Sequence, residues 1–167
     1  METGERRNRV LSKLEELDIP YEIYEHPAAP TIEIAQQYWD KIDATHCKNL
    51  FFRNHKGNRH YLVILRADRN LNIKELEKKL KQGKISFASP KRMEKYLGLS
   101  GGSVSVFGLI NDTEHHVHLF LDEALKEVDK ISFHPNDNTA SVVISGDSFL
   151  RFLEWSQNTW EFVTYTL

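Results

Sequence analysis

Apolar residues recur every three or four positions between residues 5 and 17, where Val10, Leu11, Leu14 and Leu17 share one face of a predicted amphipathic helix. Asp18-Ile19-Pro20 ends that helix, and Tyr21 to Tyr24 suit a short strand. His26-Pro27-Ala28-Ala29-Pro30 reads as a turn, because each proline biases its predecessor away from helix. Thr31 caps a helix running to about Trp39. Two dense apolar runs, Cys47 to Arg53 and His60 to Arg66, predict strands joined at His55-Lys56-Gly57-Asn58, a hairpin signal. Asn72 with Glu75 makes a capping-box-like start for a helix over 73–81. Ser89 as N-cap and Pro90 at the first helical position open a short helix that stops at Gly98. Gly101-Gly102 then permits positive φ, and residues 103–109 alternate like a strand. Strands near 116–121, 130–134 and 140–145 follow, with a short helix or turn at Asp122 to Glu127. A helix over 147–156, carrying Phe149, Leu150, Phe152 and Leu153, precedes a terminal strand near 160–165.

Strands outnumber helices and are interleaved with them, partly as hairpins. That order predicts an α+β fold, a mixed and mostly antiparallel sheet with helices packed on it. At 167 residues and 40% hydrophobic content, the chain reads as a single domain, 1–167, large enough for a real core. No stretch approaches the roughly 20 apolar residues of a membrane span, and METGERRNRV lacks the apolar centre of a signal peptide. A single cysteine excludes an internal disulfide. Together these features predict a cytoplasmic protein.

The net charge of −2 does not suggest a nucleic-acid binder, yet the charge is unevenly placed. Lys74, Lys78, Lys79, Lys81, Lys84, Lys91, Arg92 and Lys95 fall in one short region, with Glu75, Glu77 and Glu94 interleaved. A solvated helix face and a local phosphate-binding patch fit that pattern about equally.

The candidate chemistry is sparse. Lys48 enters the apolar strand beside Cys47 and Asn49. Gly101-Gly102 can present bare backbone groups to a small substrate, and His134, held extended before Pro135, can hydrogen-bond a ligand. Taken alone, each has a structural explanation as an edge lysine, a tight turn and a turn histidine. His115, His116 and His118 form an H-H-x-H cluster, but no Cys or Glu motif completes a zinc set. Cys47 follows His46, and neighbours on a strand point to opposite faces, so a packed cysteine is expected rather than a nucleophile. No G-x-S-x-G motif or P-loop is present. No metal or other cofactor is called for.

Separated motifs add a family resemblance. SFASPKRMEKYLGL followed by GGSVSVFGLIND resembles the editing-domain family related to the insertion domain of bacterial prolyl-tRNA synthetase. That family includes free-standing YbaK-like proteins and the ProX group. YEIYEHPAAPT (21–31), THCKNLFFRN (45–54) and ISFHPNDNTASVVIS (131–145) agree with the ProX pattern in the family order. The resemblance covers residue 21 to about 155 and implies the same α+β fold.

It also implies hydrolysis of the ester joining a wrong amino acid to tRNA, with alanyl-tRNA(Pro) as the ProX-branch substrate and cysteinyl-tRNA(Pro) as the YbaK-branch substrate. Small amino acids are poorly separated at charging, so a second site removes errors. In this family a lysine at the position of Lys48 faces the substrate, with Asn49 in support. Gly102, flanked by Gly101 and Ser103, aligns with the glycine of a G-x-x-x-P loop, whose proline position holds Val106. His134, Asn138 and Thr139 fall in a pocket segment, and His26 and Thr31, with Tyr24 beside them, in another. Lys48, Gly102 and His134 are the residues expected to carry the reaction. Lys78, Lys79, Lys91 and Arg92 are the expected contacts to the acceptor end of tRNA(Pro). Prolyl-tRNA synthetase is a second expected partner. Without a nucleophile, substrate-assisted hydrolysis by positioned groups is the implied mechanism. Other misacylated tRNAs, a non-catalytic tRNA- or synthetase-binding role and a metal-dependent hydrolase stay open as alternatives.

Overall fold

The second strand organises the molecule. In the computed structural model, which describes residues 3–29 and 31–164, β2 (Thr45–Arg53) is shared by two sheet segments. On one edge it pairs antiparallel with β3 (His60–Arg66) from Cys47 to Arg53. On the other edge it meets two different strands. Thr45 and His46 pair in parallel with β6 (Lys130–Phe133), and Phe52 and Arg53 pair antiparallel with the two-residue β4 (Ser86–Phe87). Between these contacts, residues 47–50 have a strand partner on one edge only. The sheet therefore forks along β2.

Beyond β6 lie β7 (Ala140–Ser145) and then β1 (Glu22–Glu25), both antiparallel to their neighbours. Beyond β3 lie β5 (His118–Asp122) and β8 (Trp160–Val163), both parallel to theirs. The predicted α+β architecture holds, with four antiparallel and three parallel pairings among the described residues. The predicted terminal strand ends at Val163; its last predicted residue, Tyr165, lies outside the described residues, as does Pro30 of the predicted turn.

The run His60 to Leu65 is buried throughout because both faces of β3 are covered, which explains an unbroken rather than alternating apolar stretch. Leu62 and Ile64 pack into the larger core with α1 (Thr3–Glu16), α4 (Pro90–Leu97) and α5 (Gly146–Ser156). Tyr61, Val63 and Leu65 face a smaller core under α3 (Ile73–Leu80), which buries Leu76. The predicted caps are present: the side chains of Thr31, Asn72 and Ser89 accept from the backbone N–H groups of Ile34, Glu75 and Arg92. Thr31 thereby starts α2 (Ile32–Trp39). At the start of α5, a Cβ on Gly146 would stand 2.1 Å from the carbonyl oxygen of Val128, so only glycine fits that approach.

One predicted strand is absent. Residues 106–111 form a 3-10 helix, capped by Ser105, whose hydroxyl accepts from Phe107 N at 3.2 Å. Val106, Phe107, Gly108 and Leu109 are all buried in it, and a run buried on every side has no period to separate strand from helix. Asn136 Nδ2 donates to Phe107 O at 3.2 Å, and Asn111 Nδ2 to Leu97 O at 2.8 Å, tying the segment down without a sheet partner.

Candidate active site

The fork in the sheet opens a cleft of about 270 Å³. Its floor is β2 from Cys47 to Phe51. One wall comes from Ala29 and α2, through Thr31, Ala35 and Trp39. Facing it are Gly102, Val104 and His134, and Phe87 and Met93 complete the lining. Trp39 is held by stacking on His46, with ring centroids 4.7 Å apart.

Lys48, Asn49, Gly102, His134 and Thr31, expected from the sequence, do converge on this cleft. Lys48 Nζ donates to Arg69 O at 2.7 Å and to Asn70 Oδ1 at 2.8 Å. An ammonium has three donors, so the loop after β3 fixes the group and leaves one donor uncommitted. Asn49 is half-buried, and its side-chain oxygen is buried without a hydrogen-bond partner among the described residues. His134 Nδ1 contacts Ala140 O at 3.4 Å, and a carbonyl only accepts, so the proton sits on Nδ1 and Nε2 is left as an acceptor. Burial lowers the His134 pKa and keeps the ring neutral, outweighing the contact with Ala140 O that favours the charged form. Its backbone oxygen accepts from Ser105 Oγ at 2.8 Å, which links the ring to the start of the 3-10 helix. Gly102 has φ +81°, the left-handed region, and Ser103 N donates back to Ser100 O at 3.2 Å to close the turn.

Other expected residues lie elsewhere. Val106 is fully buried in the core, and Val104, two residues earlier, lines the cleft instead. The error has the same origin as the missing strand. Gly101 is exposed with open space around it, and Ser103 is buried; neither lines the cleft. Asn138 and Thr139 stand behind the wall. Their carbonyls accept from Ala29 N and His26 N, each at 3.0 Å, and so hold the segment leading into Thr31. Thr139 Oγ1 also bridges Arg7 and Asp137. His26 Nδ1 donates to Pro27 O at 2.9 Å, its Nε2 accepts from Ser141 Oγ at 3.1 Å, and its ring stacks on Tyr38 at 5.0 Å. Tyr24 donates to Glu22 at 2.5 Å.

Of the four cations expected to meet tRNA, Lys91 is exposed, Lys78 is exposed beside Glu75, and Lys79 is paired with Glu161. Arg92 turns inward: Nη1 donates to Gly57 O at 2.9 Å and to His60 Nε2 at 3.0 Å. Through that nitrogen its guanidinium ties α4 to β3. The histidine cluster also disperses. His116 meets His60, and His118 meets Thr159 and Glu161; among the described residues no three metal-ligating side chains converge. Cys47 lines the floor, but burial pushes its thiol far above the usual range and leaves it protonated. Trp39, Phe87 and Met93 were not singled out from the sequence, since a lone aromatic or methionine in or beside a short helix carries no signal that separates cleft from core.

Residues 26–152 match the aminoacyl-tRNA editing domain family, three-quarters of the chain. The chain belongs to that family. Among its curated relatives, the prolyl-tRNA editing protein ProX of Acetoanaerobium sticklandii is 38% identical over 93% of this chain and 94% of its own length. The prolyl-tRNA synthetase associated domain-containing protein 1 of Mus musculus is 32% identical over 92% and 93%. A solved structure assigned provisionally as a trans-editing enzyme for prolyl tRNA synthetase superposes with a TM-score of 0.70 at 19% identity, covering 96% of both chains. That likeness concerns the fold. The chain is thus an editing domain, a deacylase of the class that acts on mischarged tRNA. Among the described residues, no helix is long and apolar enough to cross a membrane.

Proposed function

We propose that this chain hydrolyses alanyl-tRNA(Pro) in trans, releasing alanine and free tRNA, and that prolyl-tRNA synthetase is its working partner. The observation that carries the reading is the set of uncommitted hydrogen-bonding positions in the cleft. Lys48 has one spare donor, Asn49 Oδ1 is an unpartnered acceptor and His134 Nε2 is a second acceptor. An aminoacyl ester offers the complement: a carbonyl oxygen for the ammonium, an α-ammonium for Asn49 and a ribose hydroxyl or water for His134. The naming of relatives at 38% and 32% identity for prolyl-tRNA supports the tRNA(Pro) choice. The small volume and the short side chains of Ala29 and Ala35 on the wall favour a small amino acid.

In this mechanism a water adds to the ester carbonyl, the bond from that carbon to the ribose oxygen breaks, and the departing ribose oxygen takes up a proton that the water gives. The neighbouring ribose hydroxyl helps to activate the water. Lys48 stabilises the oxyanion, and the backbone around Gly102 orients the aminoacyl group. Cys47 takes no part, because its thiol stays protonated.

The test is deacylation of alanyl-, cysteinyl- and prolyl-tRNA(Pro), side by side, by wild type and Lys48→Ala. Removing one preorganised donor costs about 100- to 1000-fold in rate. Loss of alanine alone, with that dependence on Lys48, is the expected result. Full activity of a folded Lys48→Ala protein overturns the role of Lys48. Preferential loss of cysteine overturns the substrate choice.

A further inference from the structure

The lip of the cleft carries an aromatic ring that folding does not explain. Phe87 is 60% exposed, and Ile23, at 37%, is the only other large hydrophobic side chain exposed among the described residues. Phe87 is nonetheless held in place. It pairs with Phe52 across β4 and β2, and its ring stacks on that of Phe52, with centroids 4.6 Å apart and planes 27° apart. Phe52 is 1% exposed, so one face of Phe87 rests on the core and the other is open. The next residue, Ala88, donates to Phe51 O at 2.9 Å and locks the strand at the end of the fork. Phe87 lines the cleft whose floor holds Lys48 and Asn49.

A rigid ring with one free face, at the mouth of a site for an aminoacyl ester, has the form of a base-stacking platform. Exposed cations flank it in the chain, at Lys84 and Lys91. We propose that Phe87 stacks the terminal adenine of the acceptor end while the ester lies deeper, between Lys48 and Gly102. The inference rests on the proposed function, since it needs a charged 3′ end in the cleft. Stacking tolerates any flat π-face but not an aliphatic chain of similar size, which gives the test its contrast.

The experiment uses an acceptor-stem minihelix with 2-aminopurine as its 3′-terminal base for binding, and alanyl-tRNA(Pro) for turnover, with wild type, Phe87→Ala, Phe87→Leu and Phe87→Trp. Wild type and Phe87→Trp are expected to quench the 2-aminopurine on binding. Phe87→Ala and Phe87→Leu are expected to lose the quench and to lower kcat/KM roughly 5- to 100-fold, mainly through KM. Unchanged urea denaturation of the Ala and Leu variants separates this loss from unfolding. Quench and kcat/KM in Phe87→Leu equal to wild type, with wild type active, overturn the stacking role alone. A wild type that hydrolyses no misacylated tRNA overturns the proposed function and this inference with it.

Discussion

Acid should weaken the fold through one buried histidine, and the bonding pattern fixes the sign. His60 is 1% exposed, with its ring between Phe51 and Tyr96. Arg92 can only donate, so His60 Nε2 is an acceptor and the proton sits on Nδ1, which donates to His116 Nε2 at 2.9 Å. A second proton on His60 would have to enter at Nε2, against the Arg92 N–H. Burial, then the neighbouring His116 and Arg92, hold the His60 pKa down to about 4. The unfolded chain takes up this proton near pH 6.5 and the folded chain near 4, so His60 has no effect on stability above pH 6.5 and destabilises progressively below it. The loss is about 2 kcal/mol at pH 5 and nears 3 kcal/mol at pH 4. Urea unfolding at pH 7 and pH 5 measures it, with His60→Asn as the control that does not titrate. Its intrinsic cost applies at both pH values and cancels from the difference. Wild type should lose about 2 kcal/mol more than His60→Asn between the two. Equal losses would show that His60 does not stay neutral in the fold and would refute the assignment of its protons.

Two further outcomes follow from the site. Asn70→Ala removes one of the two acceptors that fix the Lys48 ammonium, and kcat for deacylation should fall about tenfold, with urea stability changed by less than about 1 kcal/mol; unchanged kcat would show that Arg69 O suffices. Val106→Pro should leave the ratio of alanyl- to cysteinyl-tRNA hydrolysis unchanged, because Val106 opens a 3-10 helix away from the cleft and Ser105 before it is already extended at φ −152°, ψ 153°. A shift in that ratio would place residue 106 in substrate selection after all.

Helix limits were legible because each rests on local chemistry: Thr31, Asn72 and Ser89 cap as their side chains allow, and Gly98 ends α4 with φ +65°. The long strand β3 was legible as an unbroken apolar run, which burial on both faces allows. The 3-10 segment was not, because Val106 to Leu109 are uniformly buried and the decisive contacts come from Asn136 and Asn111, one distant in sequence and one at the segment's own end. The fork was also hidden. It depends on β2 having two partners on one edge, and nothing in THCKNLFFR says where one ends and the other begins. The inward partners of Arg92 were hidden for a related reason: its position on a basic helix is local, while Gly57 and His60 arrive through the tertiary fold.

Two of the polar clusters among the described residues, around His60 and in the cleft, differ in one respect that bears on function. Around His60 the ring spends both nitrogens, one on His116 and one on Arg92, and Arg92 adds Gly57, so the cluster is complete without a ligand. In the cleft, Lys48, Asn49 and His134 each keep one hydrogen-bonding position uncommitted after their protein partners are counted. Buried acceptors elsewhere, Asn136 Oδ1, Asn158 Oδ1 and His46 Nδ1, are also unpartnered, but each belongs to a side chain with another nitrogen that anchors the chain locally, to Phe107 O, to Asp112 and Val117 O, and to Ile42 O respectively. Among the described residues, Asn49 has no such anchoring bond to explain its place. An unpaired buried acceptor costs about 1–3 kcal/mol, and a ligand that supplies the donor recovers it on binding. The incomplete cluster is therefore the one expected to respond to a substrate, and its mixture of one cationic donor and two neutral acceptors suits an aminoacyl ester, which is cationic at the amine and polar at the carbonyl, better than it suits a phosphate.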